Sequence, residues 1–99
     1  MDVRIQAVNF NAEEDLIQFV NKKMDKLPHF YERIVSAEVF LHVENTSDAE
    51  NKHVEVKLAV PGPDIIVKKA GSTFESAVDV ALDVLVRQLK KHKEKERNV

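Results

Sequence analysis

The segment from residue 34 to residue 60 reads IVSAEVFLHVE, NTSDAEN, KHVEVKLAV: two arms that alternate apolar and polar residues around a polar link. Successive side chains of a strand point to opposite faces, so period two predicts two strands, each with one apolar side. Ala37, Val39, Leu41 and Val43 share a face in the first arm, as do Val54, Val56, Leu58 and Val60 in the second. Pairing Leu41 with Val54 places Val39 opposite Val56. On the other face it sets Glu38 against Lys57 and His42 against His53. Every pair is then chemically matched, and a slip by one residue would turn both apolar sets toward water. The link NTSDAEN suits a hairpin loop. Such a hairpin has one dry face, and something in the chain must cover it.

The cover comes from two amphipathic segments. NAEEDLIQFVNKKMDKL, residues 11–27, repeats Leu16, Val20, Met24 and Leu27 at helical spacing, with Ile17 and Phe19 widening the stripe. Asn11 and Glu14 make an approximate capping box, and Pro28 should end or kink the helix. STFESAVDVALDVLVRQLKKHKEK, residues 72–95, carries Phe74, Val78, Ala81, Leu82, Leu85 and Leu89 on one stripe. Ser72 and Glu75 form its expected capping box, with Gly71 easing the entry, and Asp83 and Arg87 are spaced to pair at i,i+4. DVRIQAV (residues 2–8) alternates as a first strand, and IIVKKA (65–70) follows the tight turn PGPD as a fourth, shorter one. The order is β-α-β-β-β-α. Four one-sided strands and two amphipathic helices predict an α+β two-layer sandwich, a four-stranded sheet with two helices on one face. The 99 residues make a single domain, 1–99, with the charged tail at about 94–99 expected to fray.

Composition removes several classes of function. With no cysteine there is no disulfide, thiolate metal site or thiol nucleophile. The start MDVRIQAVNF lacks the basic and apolar regions of a signal peptide, and no apolar run approaches the roughly 20 residues of a membrane span. A cytoplasmic protein with no membrane partner is expected. The chain has only Gly62 and Gly71, so it has no glycine-rich phosphate loop, and no serine sits in a nucleophile elbow. No catalytic residue, cofactor or small-molecule substrate is expected. His42 and His53, with Glu44 and Glu55 nearby, could approach a metal only if a third ligand were fixed beside them, so no metal site is assigned.

Charge is segregated. Residues 87–99, RQLKKHKEKERNV, carry six Lys or Arg against two Glu, a local +4 in a chain whose total is −2. Binding follows local potential over roughly 8–10 Å at physiological salt, so the distribution outweighs the total. Arg87, Lys90, Lys91 and Lys93 must face water, because the apolar stripe of their helix faces the core. The first helix adds Lys22, Lys23 and Lys26; Arg33 follows it, and Lys68 and Lys69 precede the second helix. The expectation is a composite cationic surface that receives a phosphate backbone by releasing counterions. The same array also complements the helix macrodipole and aids solubility. Phe30, Tyr31 and Phe40 are the aromatic candidates for stacking on bases, although Phe30 or Tyr31 suits the end of the core.

The stretches FVNKKMDKLPHFYERI (19–34) and STFESAVDVALDVLVRQLKKHKEK carry a family likeness, most specifically Phe74, Ala77, Val78 and Asp79 with the ending from Arg87 to Lys93. Across essentially its whole length the chain resembles the short ribosome hibernation-promoting factors of the bacterial ribosome-associated inhibitor (sigma modulation) family. The resemblance implies a fold similar to double-stranded RNA-binding domains. It also implies binding to the 30S subunit or 70S ribosome, on 16S rRNA in the mRNA and tRNA channel near the decoding region. Translation would be inhibited there under stress or in stationary phase. By position, the family's rRNA contacts correspond to Lys22, Lys23, Lys26, Arg87, Lys90, Lys91 and Lys93, with Arg33, Lys68 and Lys69 as weaker correspondences. Two departures stand out: Ala70 where relatives often have an acid, and Pro28 within a helix that others continue. The chain ends where long-form members add a dimerising domain, so pairing of ribosomes would need a separate dimerising factor or a change of ribosome shape. The competing expectations are a protein-interaction module regulating transcription through Phe40, His42 and His53 on the open sheet, and a binder of free duplex RNA.

Overall fold

The structure, a computed structural model, describes residues 1–97. Its elements follow the alternation and the helical stripes: β1 (Asp2–Val8), α1 (Glu14–Met24), a 3-10 turn (Leu27–His29), β2 (Ser36–Val43), β3 (Lys52–Ala59), β4 (Ile65–Gly71) and α2 (Phe74–Arg97). The sheet order is β1-β2-β3-β4, with β1 parallel to β2 and the other two pairings antiparallel. The expected hairpin register holds: Leu41 pairs with Val54, Val39 with Val56, Glu38 with Lys57 and His42 with His53.

One core joins the layers. Ala37, Val39, Leu41, Val54, Val56 and Leu58 from the sheet meet Val20 and Met24 of α1 and Phe74, Val78, Ala81, Leu85 and Leu89 of α2. Their alternating neighbours Glu38, Phe40, His42, His53, Glu55 and Lys68 escape burial, so both helices lie on one face and the other stays open. Leu27 and Tyr31, from the segment linking α1 to β2, close the core under the far end of α2. Phe10 stacks on Phe74 at a centroid distance of 5.2 Å and closes the near end.

Four local expectations need correction. The N-cap of α1 is Glu13, which makes no side-chain capping bond, so the Asn11–Glu14 box does not form. α1 ends at Met24, a turn before Pro28. Pro28 instead stands at the start of the 3-10 turn, where a missing N–H leaves nothing unpaired. The cap of α2 falls one residue later than Ser72: Ser76 N–H donates to Thr73 Oγ1 (3.0 Å) and Thr73 N–H to Ser76 Oγ (3.3 Å). Arg87 does not pair with the Asp83 carboxylate; its Nε donates to the Asp83 backbone carbonyl at 3.4 Å. α2 runs through Arg97, so residues 94–97 of the expected tail are helical, and 98–99 lie outside the described residues.

The candidate nucleic-acid interface

The helices run alongside each other in the same direction. Phe10, just before α1, stacks on Phe74 at the start of α2. Further along, Lys23 Nζ meets Asp79 Oδ1 at 3.0 Å, and past α1 the Lys90 ammonium lies over the Phe30 ring, 5.5 Å from its centroid. This parallel course brings the basic ends of both helices to one end of the helical layer.

A groove results, made of adjoining depressions that share Lys90. The largest, about 540 Å3, is floored by Phe30, Leu82 and Val86 and rimmed by Lys26, Asp83, Arg87 and Lys90. Beside it Lys91 joins Arg87, Gln88, Lys90 and Val84, and beyond Phe30 the wall is His29, Lys93, Glu94 and Arg97. Each cation is placed by the helical repeat: Ala81, Leu85 and Leu89 are fully buried, which turns Arg87, Lys90 and Lys91 outward. Five cations in the groove (Lys26, Arg87, Lys90, Lys91 and Lys93) make no ion pair among the described residues. Lys22 is exposed on the last turn of α1 and also has none there. An array of cations with no ion pair among the described residues, over an apolar floor, can neutralise successive phosphates while offering a dry surface between them.

The other sequence-derived cations are engaged elsewhere. Lys23 is held by Asp79 and lies over the Phe19 ring. Arg33 donates through Nη1 to Glu96 Oε1 at 3.3 Å. Lys68 projects from the open face of the sheet, where Nζ sits 3.3 Å from Glu55 Oε1. Lys68 and Lys69 line a separate depression of about 270 Å3 with Phe40, His42, His53, Val54 and Glu55. The expected convergence of all ten cations is therefore corrected: the two helix ends meet, and the β4 lysines do not join them. Arg97 and His29 belong to the groove and were not among the residues expected there. The helical period continues through Arg97, and that was the signal for it.

The far end of α2 is anchored from below. Tyr31 is only 2% exposed, and its hydroxyl donates to Glu96 Oε1 at 2.5 Å. Burial above all, then the hydrogen bond and the negative charge of Glu96, raise the pKa of the Tyr31 phenol. His92 meets the Tyr31 ring edge-on at 5.1 Å between centroids. On the open sheet face the rings of His42 and His53 are 5.8 Å apart, and His53 Nε2 lies 2.6 Å from Glu44 Oε2. Among the described residues no group of three or more His, Asp or Glu side chains could hold a metal ion. No helix among them is long and apolar enough to cross a membrane.

A small α+β domain with an open sheet on one side and a cationic groove between two parallel helix ends is the class that fold and surface define. Residues 3–97 match the family described as Sigma 54 modulation protein / S30EA ribosomal protein, and the chain belongs to that family. It is 37% identical over 98 residues to the ribosome hibernation promoting factor of Escherichia coli K12, covering 96% of each chain. To the factor of the same name from Pseudomonas putida it is 28% identical over 99 residues, covering all of this chain and 93% of that one. Among solved structures, a ribosomal subunit interface protein from Coxiella burnetii superposes with a TM-score of 0.84 at 19% identity. That match covers 95% of this chain and 99% of the other, and it establishes the shared fold.

Proposed function

We propose that this chain is a ribosome hibernation factor that works by occupancy. Its groove cations engage 16S rRNA phosphates of the small subunit, in the mRNA and tRNA channel near the decoding region. The rigid sheet-and-helix body then excludes mRNA and tRNA, and translation idles under stress or in stationary phase. The observation that carries this reading is the set Lys26, Arg87, Lys90, Lys91 and Lys93, drawn from two helix ends into one groove and unpaired among the described residues. Phosphate contacts position a protein without reading sequence, so the choice of site falls to the shape of the cleft. The names of the relatives from Escherichia coli and Pseudomonas putida support the same role.

Sedimentation with purified 30S subunits in rising salt tests it. Wild-type protein should co-sediment at low salt and be released as salt rises. The variant Arg87→Glu, Lys90→Glu, Lys91→Glu should stay in the supernatant with a melting temperature close to wild type, because all three side chains are exposed. Co-sedimentation of that variant at wild-type levels would overturn the cationic-groove mechanism.

A further inference from the structure

Phosphate neutralisation uses the rim of the groove and leaves its floor without a role. Phe30, Leu82 and Val86 form that floor, and each is only partly buried. Phe30 contrasts with its neighbour Tyr31, which is packed away in the core. Over the Phe30 ring lies the Lys90 ammonium. Lys90 belongs to a flexible chain and shares the groove with like charges, Lys26 on the opposite wall and Arg87 and Lys93 on its own helix. Its hold on the ring is a cation–π contact at an exposed site, worth little beside a charge-assisted bond to phosphate. Beside the Leu82–Val86 floor, Asp83 has the wrong sign for a phosphate, as Glu94 has beyond Phe30. A carboxylate there repels phosphate oxygens but accepts a hydrogen bond from the exocyclic amine of a base.

We infer that Phe30 is a stacking platform for one unpaired nucleobase. On binding, Lys90 leaves the ring for a backbone phosphate, and the base takes its place between the aromatic face and the Leu82–Val86 floor, with Asp83 at its edge. The occupant is a single-stranded nucleotide of RNA. Its two chemistries, a flat π-surface and flanking phosphates, match the apolar floor and the cationic rim respectively. A groove of about 540 Å3 is within the roughly 300–1,000 Å3 range of small-ligand sites. This inference rests on the proposed ribosome binding and adds a base contact to it.

The test measures affinity for purified 30S subunits as a function of salt, using the full chain. Phe30→Leu keeps the floor apolar and every cation in place. Its affinity should fall about tenfold at every salt concentration, with the slope of log affinity against log salt unchanged. Phe30→Trp and Phe30→Tyr should restore it. An unchanged affinity for Phe30→Leu overturns the platform, and so does a loss accompanied by a shallower slope, since that means only the Lys90 phosphate contact was disturbed. If wild-type protein fails to bind 30S subunits at all, the ribosome reading itself has failed, an outcome separate from either of these. Because Phe30→Leu also touches the core, a photoactivatable benzoylphenylalanine at position 30 provides a second measurement. An adduct on a nucleobase supports the inference. An adduct on a ribosomal protein, or none from a bound complex, overturns it.

Discussion

Phe30 and Tyr31 are adjacent aromatics, and alternation says nothing about which of them is inside, because the 3-10 turn at Leu27–His29 obeys neither strand nor α-helix period. The structure separates them by what the hydroxyl can reach. Tyr31 is sunk beneath α2 with its oxygen on the Glu96 carboxylate, which also receives Arg33. The raised ionisation of Tyr31 has a consequence for stability. A phenol that is harder to ionise in the fold than in the unfolded chain contributes fully below the unfolded value of about 10. That contribution is lost as pH climbs from there through the folded value. Tyr31→Phe should be less stable than wild type at pH 7, since it gives up the bond to Glu96. The gap should narrow above pH 10, where only the wild type must surrender a buried proton. Urea midpoints for the two proteins at pH 7, 9, 10 and 11 read this directly, and a gap constant with pH would contradict it.

At the level of elements, the hairpin was legible because its two faces gave independent tests of one register. The helix ends were not, because several polar residues compete for each cap. Ser72 and Glu75 have the spacing of a capping box, but β4 extends through Gly71 and leaves Ser72 in the turn, so Thr73 and Ser76 take the role. The same junction explains Gly71. A Cβ on it would stand 2.5 Å from Ser76 Oγ and 3.1 Å from the Ala77 nitrogen, inside the first turn of α2. Gly71→Ala should therefore destabilise the fold by about 1–3 kcal/mol, as overpacking does. Thr73→Ala, which removes the capping oxygen without a clash, should cost about 1 kcal/mol. Chemical denaturation ranks the two. If Gly71→Ala is silent, strand and helix do not approach as closely as drawn. The β4 lysines were misplaced for a related reason. Val67 is buried, so alternation sends Lys68 to the open face, while Lys69, opposite Val54, lies two residues before Gly71 and so beside the start of α2, away from its basic turns; grouping lysines by nearness to α2 in sequence overlooked both.

For the molecule as a whole, the central question is whether a chain of net charge −2 binds polyanion through one face or through its lysines at large. α2 has 24 residues, about 36 Å of helix, against strands of at most 8 residues, about 26 Å. Its basic end is held by Tyr31 and Arg33 of the segment after α1, and the Pro61–Pro63 turn shares a depression with His92, Lys95 and Glu96. Cations are thus concentrated at one end of a body measuring 47 × 24 × 18 Å, while Lys68 sits paired with Glu55 on the opposite layer. Lys90→Gln and Lys68→Gln change the net charge identically, so any difference between them reports position alone. Lys90→Gln should lower affinity for 30S subunits and reduce the magnitude of the salt slope by about one, the signature of one lost phosphate contact. Lys68→Gln should leave both affinity and slope at wild-type values. Equal losses from the two variants would mean that binding follows total charge, and the groove between the helix ends would then have no special part in it.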